Sequence, residues 1–272
     1  MTELSGIGKT YRSKLSRVLE RHAGVITPKI VSDVLGVSTQ ESGRLLARWN
    51  NSGWVYRAKR GVSLPVPLSS TSTEPVVEEP FLLAESIYGP GYVGGFSAVK
   101  YWDLSEQIIE TVTYLTRKKV KDRYPVHGGV TFRLKTVVKH KVFGLKTVWV
   151  GSKRVYVSDP TKTMVDLLDD PGLVGGMAIV SDVFSEYLDS EHYDFNLLLN
   201  YIERSRNKTI YKRLGLLLDT SFSASDHQLS LLRSGMSKGY SIFDPTVASP
   251  CRIPEWRLKT SQSWKDLHDR KK

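Results

Sequence analysis

Gln40, Arg44 and Arg48 recur at four-residue spacing, so on a helix an amide and two guanidiniums would lie in one outward stripe. Glutamine can bond the edge of an adenine through two hydrogen bonds and arginine the edge of a guanine, which makes this stripe a candidate reader of duplex DNA. Ser38 and Thr39 stand at the start of the same helix. Arg57, Lys59 and Arg60 follow in a segment that reads as strand, turn and strand, with Lys59-Arg60-Gly61 as its tip. Cations there would lie along the sugar-phosphate backbone, fixing position without reading sequence.

A second basic set comes later. Arg117, Lys118, Lys119, Lys121 and Arg123 make a dense loop, and Arg133, Lys135, Lys139, Lys141 and Lys146 belong to the β-rich stretch after it. Lys208, Lys212 and Arg213 fall within one turn and a half of a helix that Ile210, Leu214, Leu217 and Leu218 would pack inward. If the two groups converge they form one anion-binding face. Interleaved aromatics are sparse, which argues against a platform that stacks the bases of single strands.

Other chemistries find little support. Cys251 is the single cysteine, so multi-cysteine metal sites and disulfides are excluded, which fits a reducing, cytoplasmic location. The six histidines are scattered and none has recognisable ligand spacing. Asp166, Asp169 and Asp170 lack a histidine or a second acidic cluster to make them a metal centre. The run 89–94 matches the dinucleotide fingerprint formally, but a helix-like segment precedes it where a strand is needed. The expectation is therefore no catalytic residues, no metal and no cofactor.

The elements that must position these residues are set by periodicity and caps. Leu15, Val18 and Leu19 mark a first helix. Thr27-Pro28 starts a second by hydroxyl capping with proline at the first helical position, and Gly36 stops it. Ser38 caps a third, in which Ser42, Leu45, Leu46 and Trp49 face inward. Two short helices joined by Gly36-Val37 make a helix-turn-helix, and the hairpin after Gly53 is a wing whose Trp54 and Tyr56 turn to the packed face. Residues 66–77, rich in proline, serine and threonine, read as a linker between a DNA-binding domain at 1–65 and a larger domain at 78–272. In the latter, helices at 79–88 and 96–104 precede strands at 110–116, 130–136, 141–150 and 154–157. Helices follow at 161–168, 176–188, 195–204 and 209–218. The fold class expected is α+β, a winged helix-turn-helix domain and then antiparallel strands followed by helices.

The chain has 272 residues, 40% hydrophobic and 25% charged, with net charge +11, an ordinary globular composition that favours anionic partners. The charge is uneven: residues 1–70 carry 11 basic and 4 acidic side chains, 91–160 carry 13 and 5, and 161–200 carry 1 and 8. No apolar run reaches the roughly 18 residues that a membrane span requires, and residues 1–21 are too polar for a secretory leader.

Tyr56 to Pro67 with Arg60-Gly61 and Leu64-Pro65, then Tyr92-Val-Gly-Gly-Phe-Ser-Ala98 and Tyr101-Trp102-Asp-Leu104, resembles the AbiEi family of antitoxin-regulators from bacterial abortive-infection systems. Ser158-Asp-Pro-Thr-Lys-Thr-Met-Val-Asp-Leu-Leu168 through Gly175-Gly176 is similar to that family's second block, and Arg213-Leu-Gly-Leu-Leu-Leu218 to its third. The resemblance implies a repressor of its own toxin-antitoxin operon. Its partners would be operator double-stranded DNA with inverted repeats and an AbiEii-like nucleotidyltransferase toxin, which it neutralises directly or through the toxin's substrate. The competing readings are a nucleic-acid-processing enzyme and an effector-binding transcription factor, each with a winged-helix targeting module. The first needs converging carboxylates and the second a closed apolar pocket.

Overall fold

The computed structural model describes residues 8–22, 24–66, 77–150 and 153–271. Three helices, α1 (Lys9–Arg21), α2 (Pro28–Leu35) and α3 (Thr39–Asn51), are followed by strands β1 (Val55–Lys59) and β2 (Val62–Pro65). Then come α4 (Pro80–Tyr88), β3 (Gly91–Val93), α5 (Gly95–Tyr101), β4 (Val112–Thr116), β5 (Val126–His127), β6 (Val130–Thr136), β7 (Leu145–Val150) and β8 (Lys153–Ser158). Next are α6 (Pro160–Asp169), α7 (Met177–Asp189), α8 (Phe195–Ser205), α9 (Thr209–Ser221) and α10 (Asp226–Gly235). The last elements are β9 (Ser241–Ile242), β10 (Cys251–Ile253), β11 (Leu258–Thr260) and α11 (Gln262–Arg270). This is a mixed α+β protein, and no described helix is long and apolar enough to cross a membrane.

Local chemistry explains the helix starts. Thr27 Oγ1 accepts from the Ile30 amide at 3.3 Å with Pro28 at the first helical position, Ser38 Oγ from Glu41 at 3.1 Å, and Asp159 Oδ1 from Lys162 at 2.7 Å ahead of Pro160. Each satisfies an amide that the first turn leaves without a helical partner. Gly36, at φ 67°, ends α2 in the left-handed conformation, where a Cβ would be strained.

The chain divides into two compact units. The first takes its described residues from Met1–Tyr92, Glu110–Thr136 and Thr147–Val155, the second from Val93–Ile109, Val137–Lys146 and Tyr156–Lys272. The linker expected at 66–77 is described only at its two ends, of which Val66 is buried and donates its amide to the Trp54 carbonyl. Residues on both sides of it belong to the first unit.

In the first unit, Leu15, Val18, Ile26, Val31, Leu45, Leu46 and Trp49 form a small core under α1 to α3. The β1–β2 hairpin is antiparallel, with its register shifted between Arg57 and Lys59, and Ile26 bridges Ser63 as a further strand residue. The buried hairpin residues include Val55 and Ala58 of β1 and Val62 and Leu64 of β2, while Trp54 and Tyr56 are half-buried. Trp54 packs on the core of α1 to α3 as expected, and the irregularity between Arg57 and Lys59 turns Ala58 inward, so the alternation does not continue along β1.

Against the expectation of antiparallel strands, β4 and β6 pair in parallel, Val112 opposite Phe132 through Thr116 opposite Thr136, while β5 pairs antiparallel with β6. The connection 117–129 is long enough for the crossover that parallel neighbours need. All five residues of β4 are buried, as parallel strands covered on both faces are. A Cβ on Gly91 would lie 2.2 Å from the Leu115 carbonyl oxygen, so only glycine fits that approach.

The second unit has a core that α6 to α9 share, including Met164, Leu168, Phe184, Ile202, Leu214 and Trp256. Val93 of β3 pairs in parallel with Val157 of β8, and β9, β10 and β11 form a three-stranded sheet of order β10-β11-β9, β11 pairing parallel with β9 and antiparallel with β10.

Candidate nucleic-acid interface

The α3 helix is locked from its inner side. Ser42 Oγ donates to the Ser38 carbonyl at 2.9 Å, Leu45, Leu46 and Trp49 are buried, and Trp49 Nε1 donates to the Tyr11 carbonyl at 3.3 Å. The opposite side carries Thr39, Gln40 and Arg44, all exposed. Ser38 is exposed too, but its hydroxyl is engaged as the cap. Arg48 is exposed as well, and its guanidinium carbon stacks 4.2 Å from the centre of the Tyr11 ring. The exposed stripe is therefore Gln40, Arg44 and Arg48, the last held against α1 by a cation–π contact.

The hairpin presents Arg57, Lys59 and Arg60, all exposed. The Arg57 amide donates to Asn50 Oδ1 at 3.0 Å, which ties β1 to the end of α3. The Lys59 ammonium lies 5.2 Å from the centre of the Tyr88 ring, and Tyr88 in turn packs on Phe132 and His127 at 5.6 and 6.0 Å between centroids. Burial above all, with Asp122 adding to it, pushes the Tyr88 phenol up to about 12. Burial and then the Lys59 charge hold the His127 imidazole below its ordinary value, against a backbone hydrogen bond with Ala58. Lys59 is thus exposed yet stacked on Tyr88, and Arg60 beside it at the tip is exposed too. Tyr11 and Tyr88 carried no local signal, because each acts on a residue far along the chain, while Asn50 acts seven residues on, across the turn into β1.

Arg117, Lys118, Lys119, Lys121 and Arg123 are exposed, as expected. Their loop has a fixed backbone: Thr116 Oγ1 donates to the Tyr88 carbonyl and accepts from Lys118, while Thr136 Oγ1 accepts from Val120 and donates to the Lys118 carbonyl. Lys135, half-buried, is in the same unit.

The rest of the expected basic face belongs to the second unit and is mostly not a surface. Lys139 and Lys208 are exposed. Lys141 pairs with Asp169 at 2.6 Å. Lys212 is 0% exposed, donating to the Gly239 carbonyl and to Ser241 Oγ. Arg213 is 6% exposed and donates to four carbonyls, those of Leu168, Asp169, Ile242 and Phe243, at 2.8 to 2.9 Å. Lys212 and Arg213 are corrected from anion binders to internal braces, since α9 is buried on every side from Lys212 to Leu218. The neighbouring carboxylates are structural as well: Asp166 pairs with the buried Lys162, and Asp169 also accepts from Asn207 at 2.7 Å. Burial raises the Asp159 carboxyl above its ordinary value, against its cap to Lys162 and a bond from Tyr201. Among the described residues, the one close group of three metal-ligating side chains is Asp219, Glu255 and His268 in the second unit.

No family model matches the sequence, and no curated protein matches it. Among solved structures, the fold is similar to that of the RV2827C protein from Mycobacterium tuberculosis, with a TM-score of 0.60 over 94% of this chain and 93% of that one at 15% identity. At that identity the likeness concerns the fold alone.

Proposed function

We propose that the chain is a sequence-reading duplex-DNA binder that represses its own operon, with α2 and α3 as a helix-turn-helix and the β1–β2 hairpin as its wing. The observation that carries this is the exposure of Gln40 and Arg44 on a helix fixed from behind by Ser42, Leu45, Leu46 and Trp49. Pre-organised donors on a locked helix are what base-edge recognition requires. Arg60 and Arg57 supply phosphate contacts beside them. The resemblance to AbiEi antitoxins adds a second role, neutralising a nucleotidyltransferase-like toxin, for which the exposed loop 117–123 is the better candidate now that Lys212 and Arg213 are internal.

Gel shifts on the protein's own promoter test the first role. Arg44→Ala should cost ~1 to 3 kcal/mol and relax the preference at one base pair, whereas Arg60→Ala should weaken all sequences alike and lower the salt slope by about 1. Unchanged affinity in both variants would remove helix and hairpin from the interface.

A further inference from the structure

We propose that Asp219, Glu255 and His268 form a binding site for a divalent metal ion of the zinc class. The three come from separate elements: Asp219 from the last turns of α9, Glu255 from the turn between β10 and β11, and His268 from α11. His268 is 4% exposed, and its Nε2 is buried without a hydrogen-bond partner. That nitrogen lies 3.7 Å from Asp219 Oδ2 and 3.5 Å from Glu255 Oε2. An imidazolium paired with either carboxylate would close to about 2.7 to 2.9 Å. Instead Nε2 stands off from both: tetrahedral bonds of about 2.0 to 2.2 Å put neighbouring ligand atoms roughly 3.3 to 3.6 Å apart, a range that contains the Glu255 separation and that the Asp219 one slightly exceeds. Candidate ligand atoms of the three residues all lie within 4.8 Å of one another.

The surroundings orient these groups as a metal site requires. Trp256 Nε1 donates to Asp219 Oδ2 at 2.8 Å and Arg233 Nη2 to Glu255 Oε1 at 2.6 Å, while Glu255 Oε2 lies nearer the histidine, at 3.5 Å. The other ring nitrogen, Nδ1, faces Asp269 Oδ1 at 3.5 Å. That carboxylate is held by the Lys265 ammonium, and closing on Nδ1 to hydrogen-bond distance would fix the tautomer of a ligating histidine. Two carboxylates offset a divalent charge. The imidazole favours a borderline ion such as zinc over magnesium or calcium, which prefer all-oxygen shells.

The three residues line a cavity of about 430 Å³ together with Leu218, Phe222 and Leu229. Lys271 also lines it, with its ammonium donating to the Phe222 carbonyl at 2.8 Å. Three protein ligands and a cavity leave a fourth coordination position for water or a small ligand, and the ion ties α11 to α9 and the β10–β11 turn.

The full chain, stripped with a chelator, should take up one zinc per chain in equilibrium dialysis, with a rise of a few degrees in melting temperature that magnesium does not reproduce. Cobalt in place of zinc should give the visible absorption of a low-coordinate site. His268→Gln alters a buried residue, so the isosteric Asp219→Asn and Glu255→Gln are the primary variants, each expected to lower zinc affinity at least 10-fold. Asp269→Asn should lower it about 10- to 100-fold through the histidine it orients. Absence of stoichiometric zinc uptake by the wild-type chain overturns the proposal, as does uptake that all three of these variants leave unchanged.

Discussion

A cation on a helix can serve the solvent or the core, and Arg213 shows how little local spacing decides between them. Its guanidinium is planar and offers five donors. Four carbonyls from two distant stretches, Leu168-Asp169 and Ile242-Phe243, meet those donors within 2.9 Å. Burial pulls the guanidinium below its ordinary value, while Asp169, Asp170 and Asp244 oppose that shift. The residue remains charged and works by satisfying main-chain oxygens that the end of α6 and the strand β9 would otherwise leave unmet. Arg213→Met should therefore destabilise the second unit by about 3 kcal/mol or more, since a buried acceptor left unmet costs ~1 to 3 kcal/mol. Arg213→Lys cannot reproduce the fork and should recover only part of that loss. Urea unfolding read by tryptophan fluorescence measures both. A change within ~0.5 kcal/mol for Arg213→Met, the size expected at the surface, would return the side chain to solvent.

Packing competes with propensity along α9 in the same way. Gly215 sits in mid-helix, where alanine is ordinarily better by ~1 kcal/mol. A Cβ there would lie 2.0 to 2.6 Å from three atoms of the Trp256 ring, whose Nε1 is bonded to Asp219 and whose face carries the Arg233 guanidinium at 4.9 Å. The ring cannot withdraw without breaking those contacts, so overpacking wins. Gly215→Ala should lose ~1 to 3 kcal/mol net, visible as a lower urea midpoint. A gain in stability would mean that Trp256 moves freely. The helix starts at Thr27-Pro28, Ser38 and Asp159-Pro160 were legible in the sequence because a cap is made of neighbours. So was the inner face of α3, since 3.6-residue periodicity is local. The capping box of Ser225 and Gln228 that opens α10 is equally local. Strand partners were not legible: β4 and β6 look alike whether parallel or antiparallel, and β9 to β11 are two or three residues long, too short for any alternation. Nor was the His268 group, whose members stand 36 and 13 residues apart on elements that only tertiary packing assembles.

At the scale of the molecule, the first unit unites two features that the sequence assigned to separate domains. The hairpin and the loop 117–123 both reach Tyr88, through Lys59 stacked on its ring and Thr116 bonded to its carbonyl. On the proposed reading, α3 meets DNA while the loop meets the toxin or the anionic nucleotide it uses, so the two roles must be separated by side chain rather than by cutting the chain. Lys118, Lys119 and Lys121 allow this because the loop's backbone is held by Thr116 and Thr136, with the three ammonium-bearing side chains left at the surface. Their joint reversal to Glu should keep the melting temperature near wild type, since exposed changes cost within ~0.5 kcal/mol each, and should retain operator binding through Gln40 and Arg44. Rescue of toxin-expressing cells should be lost. The complex formed by the wild-type chain should weaken steeply between low and physiological salt, where the screening length falls to about 8 Å. A folded triple variant that protects cells fully would reduce the loop to a solvated surface. Antitoxicity would then belong on the opposite charge, the exposed acids Asp182, Glu186 and Asp189 that line one side of α7 at four- and three-residue spacing.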